Sequence, residues 1–217
     1  GNLNLTNNSL LSDCAIAAVC DHLDNGGSAD ITGNATGCAS VMEVEVACTP
    51  APICPSGTVF LTSQAEVDAF VATYPDCTML EGGLVIGLGG GTPNDISDVS
   101  GLSNLVSTGD NVQIENTQLT SLAGLEGLTT IGGPNQLFIG NNSLLTDIGG
   151  ISNVSGFTTL EIQNNPLLST CEIDNVCAHV NGGGTSTISG NASGCASLIE
   201  VEVACTPAPI CPSGTVF

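Results

Sequence analysis

The stretch LFIGNNSLLTDIGGISNV, residues 137–154, sets the architecture of the chain. Leu137 and Ile139 flank Phe138 and share one face of a short strand, an Asn pair follows, and Ile148, Ile151 and Val154 step by threes toward Phe157. The strand pair recurs. Leu84 with Ile86, Val112 with Ile114, and Leu160 with Ile162 repeat it at intervals of 23 to 28 residues, while Leu119, Leu122, Leu125, Leu128 and Ile131 repeat the return rhythm. Short strands at coil-length intervals predict a mainly β solenoid with one parallel strand per turn and an interior filled from the return side. Asn116, Asn141, Asn142, Asn164 and Asn165, just past the strands, suit turns that need positive backbone angles or side-chain hydrogen bonds to the chain. Stacked, such Asn residues could satisfy buried carbonyls.

Both ends of this run read as helical. After Cys54, Ser63 and Glu66 stand at capping-box spacing, so a helix begins there; Val67, Phe70, Val71 and Tyr74 form its apolar face and Pro75 ends it, just before Cys77. At the far end come a helix-like segment from Cys171 to Val180, a strand-like STIS at 186–189, and Glu200 to Val203, whose alternation reads as a strand before Cys205. The same cap occurs earlier, with its helix at Cys14 to Leu23.

That recurrence is a true internal repeat. Residues 158–217 match residues 1–60 at 39 of 60 positions with a constant offset of 157, which predicts an excerpt of a tandem array. Residues 1–48 read as the C-terminal part of one module, 49–53 (TPAPI) as a Pro-rich linker, and 54–205 as a complete module. A second TPAPI linker at 206–210 and the start of a further module at 211–217 follow. Of the 11 cysteines only Cys77 lacks a counterpart, so six per repeat fit a disulfide framework in an oxidising, extracellular setting. Cys14 and Cys20, six apart on a helix, would be about 9 Å apart along its axis, beyond disulfide reach. The reading favours Cys14 with Cys38 and Cys20 with Cys48, and likewise Cys171 with Cys195 and Cys177 with Cys205; the exchanged pairing stays open.

Lys and Arg are absent against 21 Asp and Glu, giving a formal net charge of −21. No side-chain salt bridge can form without a protonated His. Nucleic acid and anionic membranes, which recruit Lys and Arg, are excluded as partners.

The run CPSGTVFLTSQAEVDAFVATYPDCTMLEGGLVIG, residues 54–87, resembles the opening of a receptor L domain, and LTSLAGLEGLTTIGG (119–133) with LFIGNNSLLTDIGGISNV look like that family's coils. The likeness spans about 54–170. It implies a right-handed leucine-rich-repeat-like β-helix, capped at each end, with Cys54 bonded to Cys77. The C-terminal cap departs from the animal receptor pattern and looks more like multi-module secreted or surface proteins of gliding bacteria, which sets aside receptor kinases and growth-factor binding.

Chemistry is sparse. His22 and His179 occupy equivalent positions, and one His per module with cysteines already assigned to disulfides does not make a zinc site. No nucleophile has an identifiable base, so the chain reads as no enzyme and needing no cofactor. Glu43 with Glu45, Glu200 with Glu202, and Asp95, Asp98 and Asp110 could offer oxygens to calcium but lack any recognised calcium spacing, and read as a solvated acidic face. Asn34 and Asn191 lie in N-x-S/T sequons. Near-copied caps and short proline joints favour a structural, adhesive module of a giant extracellular fibre, about 40 to 50 Å per module, associating with identical chains for attachment or capture. The alternative is a surface module that binds glycans or proteins of other cells through its open sheet face, with Phe138 and Tyr74 as aromatic candidates that read as internal. Lacking Lys and Arg, the unreduced chain should emerge intact from prolonged trypsin digestion; fragmentation of the pure protein would contradict this.

Overall fold

The computed structural model describes residues 1–48, 53–88 and 93–206. The linkers and the 211–217 segment lie outside these residues, apart from Ile53 and Thr206. The chain forms two compact units, one up to residue 52 and one from Ile53 onward.

In the first unit, β1 (Leu3–Thr6) and β2 (Ala29–Thr32) pair in parallel, with α1 (Ala17–Asp24) between them and α2 (Val41–Cys48) after them. Val19, Ile31 and Val44 make a small core with the buried Cys14–Cys38 disulfide, and Cys20–Cys48 ties α1 to α2.

The second unit is mainly β. It opens with β3 (Val59–Leu61), α3 (Gln64–Thr73), β4 (Met79–Leu80) and β5 (Leu84–Gly87). β6 (Ser107–Thr108), β7 (Val112–Glu115), β8 (Thr130–Gly140), β9 (Ser155–Gln163), α4 (Asp174–Asn181), β10 (Thr185–Ser189) and α5 (Leu198–Cys205) follow. Strands β3, β5, β7, β8, β9 and β10 lie side by side in chain order, all parallel, and β4 and β6 form a second ladder that joins the start of β8. β8 is long because Thr130 and Ile131 belong to the second ladder and Leu137 to Gly140 to the first. β3 went unread in the sequence: a three-residue strand ahead of a helix leaves no period to count, yet it pairs with β5 as every other coil pairs with the next.

Register stacks the apolar pairs. Val59, Leu84, Val112, Leu137 and Leu160 align in one row, and Leu61, Ile86, Ile114, Ile139, Ile162 and Ile188 in the next. From Leu84 to Ile162 these residues have no exposed surface, and Leu122, Leu125, Leu128, Ile148, Ile151 and Val154 meet them from the return side. A stack of this kind buries its inward side chains almost completely, which at about 25 cal/mol per Å² supplies the main driving force for folding.

After β1, β7, β8 and β9 the chain reverses through an Asn in the left-handed region: Asn7 (φ 61°), Asn116 (φ 54°), Asn141 (φ 57°) and Asn164 (φ 56°). Asn tolerates this conformation better than other residues carrying a β-carbon. In the second unit the residue after each of these Asn is buried. Asn142 Nδ2 donates to the Ile114 carbonyl (3.0 Å) and its Oδ1 accepts from Thr117 N–H (3.0 Å) and Thr117 Oγ1 (2.8 Å). Asn165 and Asn191 repeat the pattern on Ile139 (3.2 Å) and Ile162 (2.9 Å), and each accepts a backbone N–H from the coil before.

At the entry end Ser63 accepts from Glu66 N–H (3.3 Å), while Glu66 Oε2 takes Thr62 N–H (2.6 Å) and Thr62 Oγ1 (2.7 Å). Val67 and Phe70 are buried under α3, and Cys54–Cys77 anchors the segment, with Cα atoms 4.9 Å apart. At the exit end Cys171 is joined to Cys195 and Cys177 to Cys205. Two expectations need correction. Residues 41–48 and 198–205 are helices, not strands, because Ser40 and Ser197 receive the N–H of Glu43 and Glu200 and start a helix despite the alternating Glu-Val pattern. Cys14 and Cys171 precede α1 and α4, whose N-caps are Ile16 and Ile173, so the argument that placed Cys14 and Cys20 on one helix does not apply.

Asn142→Leu keeps the volume but removes the side-chain acceptor of the buried Thr117 N–H and the amide donor to the Ile114 carbonyl. We expect a loss of about 3 kcal/mol in chemical denaturation; an unchanged midpoint would show that the side chain bears no such burden.

Candidate functional site: the outward face of the parallel sheet

Alternation that sends one set of side chains inward sends the other to the surface. One outward row runs across all six strands: Phe60, Val85, Gln113, Phe138, Glu161 and Thr187 are register partners in sequence. Phe60 is 58% exposed; Val85, Gln113, Phe138 and Glu161 are half-buried; Thr187 is exposed. Phe138 is therefore not internal, and its place between two inward residues already implied as much. Its ring lies over Gly140, where a β-carbon would come within 2.4 Å of Cζ. Tyr74 lies elsewhere, half-buried at the end of α3 with its ring centroid 5.5 Å from that of Phe70.

Carboxylates and amides surround the aromatic. Glu161 accepts from Gln136 Nε2 and Gln163 Nε2, both at 2.7 Å, one to each oxygen. Glu115, 7% exposed, accepts from Gln113 Nε2 and from Asn116 Nδ2. With no Lys or Arg in the chain, amides do here what cations do elsewhere: they hold carboxylates in one orientation and desolvate them in part. These glutamines escaped the sequence reading, which followed the apolar pairs and passed over the residues between them. The face can offer a flat aromatic, oriented acceptors and amide donors, and no positive charge.

The other candidates are occupied structurally. Glu43 Oε2 accepts from Gly37 and Ala39 N–H (3.0 and 2.8 Å), and Glu200 Oε2 from Gly194 and Ala196 N–H (2.9 and 3.0 Å). Glu45 and Glu202 lie on the same helices. Asp95 caps the start of α3 through Gln64 N–H (2.9 Å), and Asp110 accepts from Asn111 N–H (2.7 Å). Asp98 accepts from Ser100 N–H (2.8 Å), and its bonds to the Ser100 backbone and side chain lower its pKa. Among the described residues no three His, Cys, Asp or Glu side chains gather where they could hold a metal ion. His22 and His179, each in a helix, contact the carbonyls of Ser28 (2.9 Å), just before β2, and of Thr185 (3.1 Å), at the start of β10. The sequon residues are built in as well: Asn34 Nδ2 bonds the Leu5 and Cys38 carbonyls and Asn191 Nδ2 those of Ile162 and Cys195.

Residues 76–180 match the family model of the receptor L domain. The matched span runs from just before Cys77 through β9 and most of α4, so it contains every strand of the outward row except β3 and β10. No curated protein and no solved structure matches the chain. Among the described residues no helix is long and apolar enough to cross a membrane.

The capping carboxylates carry a pH signature. Backbone and then side-chain hydrogen bonds from Thr62 lower the Glu66 pKa below its ordinary 4.5. A depressed folded value means that the contribution is complete above the unfolded value and is lost as pH falls through the folded one. Acid titration followed by NMR should show the α3 N-terminus loosening below pH 4.5 in the native chain and a smaller change in Glu66→Gln; identical profiles would contradict the assignment.

Proposed function

We propose that the second unit is an extracellular, non-enzymatic ligand-binding module, a capped right-handed leucine-rich-repeat-like β-helix that presents the outward face of its sheet to a glycan or protein. The observation that carries this reading is the outward row itself, with the Phe138 ring over Gly140 beside the amide-held carboxylate of Glu161. The receptor L-domain match across the same strands supports it, as the five disulfides support an extracellular or cell-surface setting. A surface with net charge −21 and no cation selects neutral or positively charged ligands and repels acidic glycans.

Tandem repetition fits this role, because linked weak sites gain avidity without new contacts. The fibre reading rests on that same repetition.

The test is an array of neutral and acidic glycans and of basic and acidic extracellular proteins, probed with the 217-residue chain and with Phe138→Ala and Glu161→Gln. Binding confined to neutral or basic ligands, and weakened about tenfold or more by either change at unaltered folding, is the expected result. Equal binding by the variants, or a preference for acidic ligands, would refute the assignment of this face.

A further inference from the structure

Aromatic side chains are few in this chain and unevenly placed. Five Phe and one Tyr make up the complement, with no Trp, and three of them line a single cleft at the entry end of the second unit. The cleft lies between β3 and α3 and has a volume of about 410 Å³, within the range that small ligands occupy. β3 supplies Phe60, which faces outward because Val59 and Leu61 on either side of it are buried. α3 supplies Glu66, Phe70 and Thr73, spaced by four and then three so that they share one side of the helix, and Tyr74 follows at its C-cap. Phe60 is largely exposed; the buried Phe70 lies against Tyr74, with ring centroids 5.5 Å apart and planes inclined at 44°.

The chemistry of the lining narrows the occupant. Among the described residues that line the cleft, none is Asn, Gln, His, Lys or Arg; its polar side chains are the hydroxyls of Thr58, Thr73 and Tyr74 and the Glu66 carboxylate. Hydrogen bonds from Thr62 lower the Glu66 pKa, so the group is charged at neutral pH, and both of those bonds go to Oε2. An anion finds no countercharge in a chain without Lys or Arg, and a sugar finds no amide to read its hydroxyls. A metal ion needs several oxygen ligands, and the cleft offers one carboxylate. Ring faces and Glu66 are alike negative, which favours a large, weakly hydrated cation. A quaternary ammonium meets this condition, and it has no N–H whose hydrogen bonds burial would leave unmade. We propose that the cleft between β3 and α3 binds a quaternary ammonium group of the choline type, with Phe60 and Tyr74 supplying ring surface and Glu66 the countercharge. The site is separate from the Phe138 face and does not rest on it: Phe60 and Phe138 stand three strands apart in the outward row, about 14 Å at the usual strand spacing.

The test titrates the 217-residue chain with choline chloride at constant ionic strength and, in parallel, with the neutral tert-butyl isostere in which carbon replaces nitrogen. Tyr74 is the single Tyr and Trp is absent, so tyrosine emission reports the surroundings of this one ring. Choline should produce a saturable change, the isostere should bind at least about fivefold more weakly, and Phe60→Leu should weaken choline binding about threefold or more. Phe60 is exposed, so this change leaves the core untouched, and it distinguishes the site from a smaller cleft that Tyr74 shares with Pro75 and Asn104 but that Phe60 does not line. Should the emission stay silent, the N-methyl proton resonance of choline decides: broadening and an upfield shift with the unmodified chain, reduced with Phe60→Leu, support the site. An unperturbed resonance, equal binding of the neutral isostere, or equal choline binding by Phe60→Leu overturns it.

Discussion

Each coil of this protein must solve the same problem. A chain that turns out of an aliphatic stack must satisfy its buried backbone polar groups, and one left without a partner costs about 1–3 kcal/mol. In three successive turns the answer is one Asn side chain. Asn142, Asn165 and Asn191 reach back to the carbonyls of Ile114, Ile139 and Ile162, and each takes a backbone N–H from the coil before it. The left-handed Asn ahead of two of them makes the turn that allows the reach. Among the described residues no buried side-chain polar atom lacks a partner, so the ladder is complete as well as continuous.

The lack of Lys and Arg sharpens this dependence. Charge pairing is not available to a chain of net charge −21, and carboxylates find backbone N–H groups or amides instead. Glu43, Glu66 and Glu200 close helix starts; Asp98 closes a turn; Glu115 and Glu161 lean on glutamines and asparagine. Disulfides secure the ends, where aliphatic stacking stops and fewer neighbours remain to bury each residue. The proposed ligand face is the sheet face, since nearly every other acidic group considered is already committed to the backbone.

How much of this was legible in the sequence depended on whether a feature had a period. The strand pairs from Leu84 to Ile162, the Asn turns and the Ser63 cap repeat or follow a local rule, and the parallel sheet with its helical ends could be read from them. Residues 198–205 could have been read by that same rule, since Ser197 and Glu200 stand as Ser63 and Glu66 do, but Glu-Val alternation imitates a strand. β3 and the β4–β6 ladder are too short to show a period and are held by their neighbours. Phe138 and the glutamines become a site only through register, which brings together residues some 25 positions apart in the chain. The receptor L-domain match over residues 76–180 covers the strands that carry most of this face.

The ladder is what the account rests on, and amide hydrogen exchange at the N–H groups of Thr117, Asn142 and Asn165 tests it most directly, since each bonds an Asn side chain rather than another strand. These three amides sit in turns, where exchange is ordinarily fast, and should instead exchange as slowly as those of Ile114 and Ile139 in the central strands. Exchange at the rate of an open turn would contradict the account.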